Sequence, residues 1–187
     1  MTNVRARLLA AVSAIAFASL STPSHSASCS AKSGAHVTPL VELYTSEGCD
    51  SCPPADRWLS RSFPAGSADA PGIALAFHVD YWDRLGWPDR FAKPAYTKRQ
   101  YDEMRGSGST FVYTPQVLVQ GRDFAGWRRA GLDGALAAAS RENARADVEL
   151  SAVRGADGRI AAAAIVRMRD PVLLAHSSVA LAYVDSG

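Results

Sequence analysis

Cysteine is scarce in this chain: Cys29, Cys49 and Cys52 are the only three in 187 residues. The four histidines, His25, His36, His78 and His176, are scattered singly. A structural zinc knuckle needs two close ligand pairs. Cys49 and Cys52 make one pair, and no second pair stands elsewhere to complete it. Net charge is also small, at +2. No apolar run is comfortably long enough to cross a bilayer; the stretch from Leu8 to Leu20 falls short. With Arg5 and Arg7 ahead of it and the small residues around His25-Ser26-Ala27 behind it, that stretch has the three-part grammar of a signal peptide. Its removal takes away two arginines and no acid, so the formal charge falls to zero. A neutral chain has no electrostatic case for binding nucleic acid or an acidic membrane surface.

These absences predict an exported protein, periplasmic or secreted after residues 1–27 are removed. Cys29 could mark a lipoprotein, but Ser26-Ala27-Ser28 lacks the large aliphatic residue expected three positions before a lipidated cysteine. No stable membrane anchor is expected. Processing leaves about 160 residues, a single medium domain or a domain with an appendage. With 48% hydrophobic residues the chain can bury a core without disulfide staples. Cysteines that stability does not require point to chemistry.

The informative run is Val41-Glu42-Leu43-Tyr44-Thr45-Ser46-Glu47-Gly48-Cys49-Asp50-Ser51-Cys52-Pro53-Pro54. An apolar strand delivers two thiols, two residues apart, to the start of a helix. Unpaired N–H groups and the positive dipole end there favour a thiolate on Cys49. Cys52 is near enough to attack a mixed disulfide and release the partner. The same spacing also fits half of a soft-metal site for cuprous ion, with His78 as a further ligand, or a merely structural disulfide.

Leu40 to Tyr44 and Ile73 to Val79 read as strands buried on both faces of a parallel sheet. Pro53 to Phe63, with Trp58, Leu59 and Phe63 at helical spacing, reads as the crossover helix. A polar helix from Pro94 to Met104 follows, then a strand Gln116 to Gln120 that turns at Gly121 into a hairpin, then a helix from Leu132 to Ala144. The order βαβαββα matches a thioredoxin core, so the expected class is α/β.

The run from Glu42 through Cys49-x-x-Cys52-Pro53-Pro54-Ala55-Asp56, with His78-Val79-Asp80-Tyr81-Trp82-Asp83 and Tyr113-Thr114-Pro115-Gln116, resembles a secreted bacterial family described as domain of unknown function 1223. The resemblance covers residues 38 to 185 and implies the thioredoxin superfamily fold. From that superfamily it implies Cys49 as nucleophile, Cys52 as resolving thiol and Pro115 as the cis proline facing them. A cis Thr114-Pro115 bond would expose the preceding backbone to an extended substrate, whereas a trans proline would simply open a strand.

Glu42, inside an apolar strand, is a candidate proton shuttle for the resolving thiol, or else a carboxylate paired with a cation. Glu47 and Asp50 place negative charge beside Cys49 and oppose its thiolate, which predicts a more reducing couple. Tyr81 and Trp82, together with Trp87, follow the second strand at the sheet edge where α/β proteins bind ligands, so with Thr114 they are candidate substrate contacts. The bland alternative is a loop pinned to the core by its aromatics. His78 in the strand interior reads as a buried, hydrogen-bonded histidine, with a base as the alternative.

From Asp147 the pattern alternates through Val148, Leu150 and Ala152, turns at Gly155-Ala156-Asp157-Gly158 and alternates again through Ile160 to Met168. A third strand is expected over Val179 to Val184. The expected organisation is a signal peptide over 1–27, an arm over 28–37, a thioredoxin-like domain over 38–144 and an incomplete C-terminal β segment over 147–187. The expected activity is thiol-disulfide exchange with a disulfide-containing protein or small thiol and a redox partner protein, without a dissociable cofactor or metal.

Overall fold

The computed structural model describes residues 28–181 apart from 66, 68, 69 and 130. The expected signal peptide lies outside the described residues. Among the described residues, seven strands form two sheets, accompanied by three α-helices.

The larger sheet contains β2 (Leu40–Thr45), β3 (Ile73–His78), β4 (Gln116–Val119) and β5 (Arg122–Asp123), in the order β3-β2-β4-β5. β2 runs parallel to β3 and antiparallel to β4. The crossover between β2 and β3 is α1 (Pro53–Ser62), and α2 (Pro94–Ser107) connects β3 to β4. β4 returns as β5 through Gln120 and Gly121, which have φ of 52° and 70°. Positive φ at both central residues is what a two-residue hairpin requires. α3 (Leu132–Ala139) completes the βαβαββα order that the sequence pattern predicted.

Strand alternation divides the core in two. Val41 and Leu43 of β2 and Val117 and Val119 of β4 pack with Ala55 and Leu59 of α1, Trp127 and Leu136. Tyr44 and Leu118, on the other face, pack with Val79, and Phe77 extends that cluster toward Tyr96 of α2. β2 is therefore buried on both faces because helices cover both. Truncating a fully buried side chain such as Leu43 to alanine would cost about 2–5 kcal/mol.

The smaller sheet has the order β1-β6-β7, from β1 (Ser28–Lys32), β6 (Ala146–Arg154) and β7 (Ile160–Met168). The hairpin β6–β7 appears where the alternation placed it. Of the strand expected over Val179 to Val184, Val179–Leu181 carry no regular structure and the remainder lies outside the described residues. Among the described residues the third strand is β1, from the segment read as an arm, which pairs antiparallel with β6 from Ser28↔Val153 to Lys32↔Glu149. α3 also stops earlier than the expected Ala144. The backbone there leaves the helix to pair with the arm, through the His36–Asn143 bridge and Ala144 N–H donating to the Ala35 carbonyl. α2 instead runs past Met104 to Ser107, where Gly108 at φ 74° closes it.

Candidate active site

Cys49 and Cys52 are joined in a disulfide, with Cα atoms 5.4 Å apart. Both are buried, at 1% and 0% exposure, so a reductant reaches the sulfur atoms only when neighbouring groups shift. Two successive turns carry the chain from β2 into α1: Cys49 N–H donates to the Ser46 carbonyl, and Cys52 N–H to the Cys49 carbonyl. Cys52 is the residue that caps α1.

The unpaired N–H groups expected at this helix start are not there. Pro53 and Pro54 occupy the first two positions and have no N–H. The next two donors, Ala55 and Asp56, both bond the Cys52 carbonyl. Hydroxyls supply the donors to Cys49 Sγ: Ser51 Oγ from the same turn at 3.5 Å, and Thr114 Oγ1 from a distant segment at 3.3 Å. Trp82 Nε1 donates to the Thr114 hydroxyl oxygen at 2.8 Å, which leaves the hydroxyl proton available to the sulfur. Thr114 precedes Pro115, and the bond between them is cis, as the resemblance implied. Four of the expected site residues, Cys49, Cys52, Thr114 and Trp82, are thereby brought together, with the buried Pro115 next in the chain.

The remaining candidates are distributed differently. Tyr81 is half-buried and its hydroxyl donates to Gln100 Oε1 at 3.3 Å, so it is anchored to α2. Burial raises its pKa. Trp87 is 63% exposed, with Nε1 3.4 Å from Glu47 Oε2. Gly48 makes room for this loop, since a Cβ there would lie 3.3 Å from Trp82 Cβ and 3.4 Å from the Trp87 carbonyl. Asp50 and Glu47 are exposed, so water screens the charge they were expected to exert on Cys49.

Glu42 lies on the face of the sheet opposite α1, toward α2. Its carboxylate is held by Arg99 Nε at 2.7 Å and Nη2 at 2.6 Å. Burial pushes its pKa up, against the pull of Arg99. Strand alternation is the reason: Val41, Leu43 and Thr45 point toward α1, and Glu42 between them cannot. The structure therefore joins Glu42 to a cation and does not join it to the cysteines.

Two acids that the sequence reading passed over take positions nearer the disulfide. Asp56, one helical turn after Cys52, accepts from Thr45 Oγ1 at 2.7 Å, and burial raises its pKa against that hydrogen bond and the charge of His78. Its sequence signal was its spacing of four from Cys52. Asp89 is buried and accepts from Glu47 N–H, Phe91 N–H and His78 Nδ1, the last at 2.6 Å. Burial pushes Asp89 up, but these donors outweigh it and hold the carboxyl below its usual range. Asp89 holds Phe91 N–H locally, but Glu47 and His78 come from other segments, and no local pattern marks that meeting.

Among the described residues, no group of three or more His, Cys, Asp or Glu side chains is arranged to hold a metal ion. His78 Nδ1 is committed to Asp89.

The chain is similar to a protein of Agrobacterium tumefaciens whose crystal structure was determined as a structural-genomics target. The identity is 35% and the TM-score 0.52, over 65% of this chain and 58% of that one. No curated protein matches it. Residues 40–187 match the family model described as a protein of unknown function, DUF1223, and the chain belongs to that family.

Proposed function

We propose that this protein is an exported thiol-disulfide oxidoreductase with a thioredoxin-like fold over residues 38–144, acting on protein or small-molecule disulfides. The observation that carries this reading is the convergence on Cys49 Sγ of its disulfide partner Cys52 and a hydroxyl donor, Thr114, from a distant segment. A disulfide beside a fixed donor is arranged for exchange, because the donor stabilises the thiolate that each exchange step forms. In the reduced protein, the Cys49 thiolate attacks a substrate disulfide and one substrate thiolate leaves. Cys52 then loses its proton, attacks Cys49 Sγ and displaces the second. One protein dithiol becomes a disulfide as one substrate disulfide becomes two thiols. Trp87 and Trp82 supply apolar contact for the substrate, and the backbone before Pro115 can pair with it.

The test is reduction of a peptide disulfide with dithiothreitol as the electron source. Cys49→Ser abolishes turnover, and Cys52→Ser accumulates a mixed disulfide on Cys49. Equal turnover by wild type and Cys49→Ser removes the enzymatic reading. Stoichiometric cuprous ion held by the reduced protein, without turnover, would replace it with metal binding.

A further inference from the structure

The resolving step needs a group that takes the Cys52 proton, and it must lie on the α1 side of the sheet. Asp56 does so. Residues four apart on a helix are neighbours, with Cβ atoms about 5–6 Å apart, which sets Asp56 below Cys52. One of its oxygens accepts from Thr45; the other accepts no hydrogen bond from the described residues. Thr45 is the register partner of His78 on β3, so both side chains point toward α1. His78 in turn holds Asp89 through Nδ1, its Nε2 has no hydrogen-bond partner among the described residues, and its side chain is 25% exposed.

We propose that Asp56 is the proton acceptor for Cys52, and that His78, backed by Asp89, carries the proton between Asp56 and solvent. This rests on the thiol-disulfide exchange reading and deepens it. In the oxidising direction the Cys52 S–H proton passes to the Asp56 carboxylate, and the Cys52 sulfur bonds to Cys49 Sγ as the substrate thiolate leaves. Asp56 then returns its proton to water through His78. In reduction the proton travels the other way. The groups facing Asp56 are Thr45 from β2, His78 from β3, Asp89 from the loop after β3, and Arg57 from its own helix. Burial raises the Asp56 pKa, which makes it a stronger base than an exposed aspartate.

Single-turnover mixing of the reduced full-length protein, carrying Cys29→Ser to remove the exposed free thiol, with a symmetrical aromatic disulfide resolves the two steps, because each then releases one coloured thiolate. Asp56→Asn leaves the first release at the wild-type rate and slows the second by about a hundredfold. Asp56→Glu restores much of it. Thr45→Val, which removes a hydrogen bond that lowers the Asp56 pKa, moves the pH dependence of the second release upward and leaves the first unchanged. An unchanged second release in Asp56→Asn, or equal slowing of both, overturns the relay. If Asp56→Asn does not fold, Thr45→Val decides, and an unmoved pH profile overturns it. A wild type that releases no second thiolate overturns the exchange reading itself, a result distinct from a wild type that releases both and is matched by Asp56→Asn.

Discussion

The Thr114 hydroxyl donates to Cys49 Sγ across 3.3 Å, although the two residues stand 65 positions apart. With prolines at the first two helical positions, this hydroxyl takes the place of the backbone donors that a helix start would otherwise offer a thiolate. Trp82 Nε1 donates to the same hydroxyl oxygen and so holds the Thr114 side chain beside the sulfur.

Thr114→Val keeps the shape and removes the donor. A hydrogen bond to a charged group contributes about 1.5–3 kcal/mol, so the Cys49 thiol pKa in the reduced protein rises by about one to two pH units. Ultraviolet titration of the thiolate measures it. An unchanged titration would show that Thr114 does not serve the thiolate.

Asp89→Ala releases the loop that carries Trp82 and Trp87, because Asp89 joins it to Glu47 N–H and His78. Dithiothreitol then reduces the buried disulfide faster than in the wild type. Stability at neutral pH falls by about 1–3 kcal/mol. The Asp89 pKa is depressed in the folded state, so its contribution is present above the ordinary carboxylate range and is lost as pH falls through the folded value. Denaturant unfolding of both proteins should therefore converge in acid.

Arg99→Met isolates the Glu42 carboxylate. The loss is about 1–3 kcal/mol at neutral pH, below the roughly 3–5 expected for a fully buried pair because the Arg99 side chain is 33% exposed. The Glu42 pKa is raised by burial, so the folded state holds that proton more tightly than the unfolded chain and loses stability as pH rises through the folded value. Without Arg99 the rise is larger. The gap between variant and wild type accordingly widens from acid toward neutral pH in chemical denaturation.

Residues 38–144 contain the whole four-stranded sheet and α1, α2 and α3. Expressed alone, this fragment should unfold cooperatively and keep its dithiol activity, since both faces of its sheet are covered by its own elements. A fragment without a cooperative transition would make the β1-β6-β7 sheet part of the same folding unit.

Local pattern alone determined most of the four-stranded sheet and its helices. Continuous apolar runs marked β2 and β3, helical spacing of Trp58, Leu59 and Phe63 marked α1, and Gly121 marked the β4–β5 turn. The dithiol itself was equally legible, because two residues of spacing at a helix start is a local property. Tertiary structure decided what surrounds it. Thr114, Asp89 and His78 meet their partners only once the sheet has brought distant segments together, and no spacing rule reports a contact across 65 residues. Glu42 was ambiguous for the same reason: a carboxyl in an apolar strand announces burial, but the pleat decides which helix it faces, and here it faces Arg99. The third strand of the small sheet likewise came from Ser28–Lys32, because a strand's partner is chosen by backbone pairing in space and leaves no mark in the alternation of either segment.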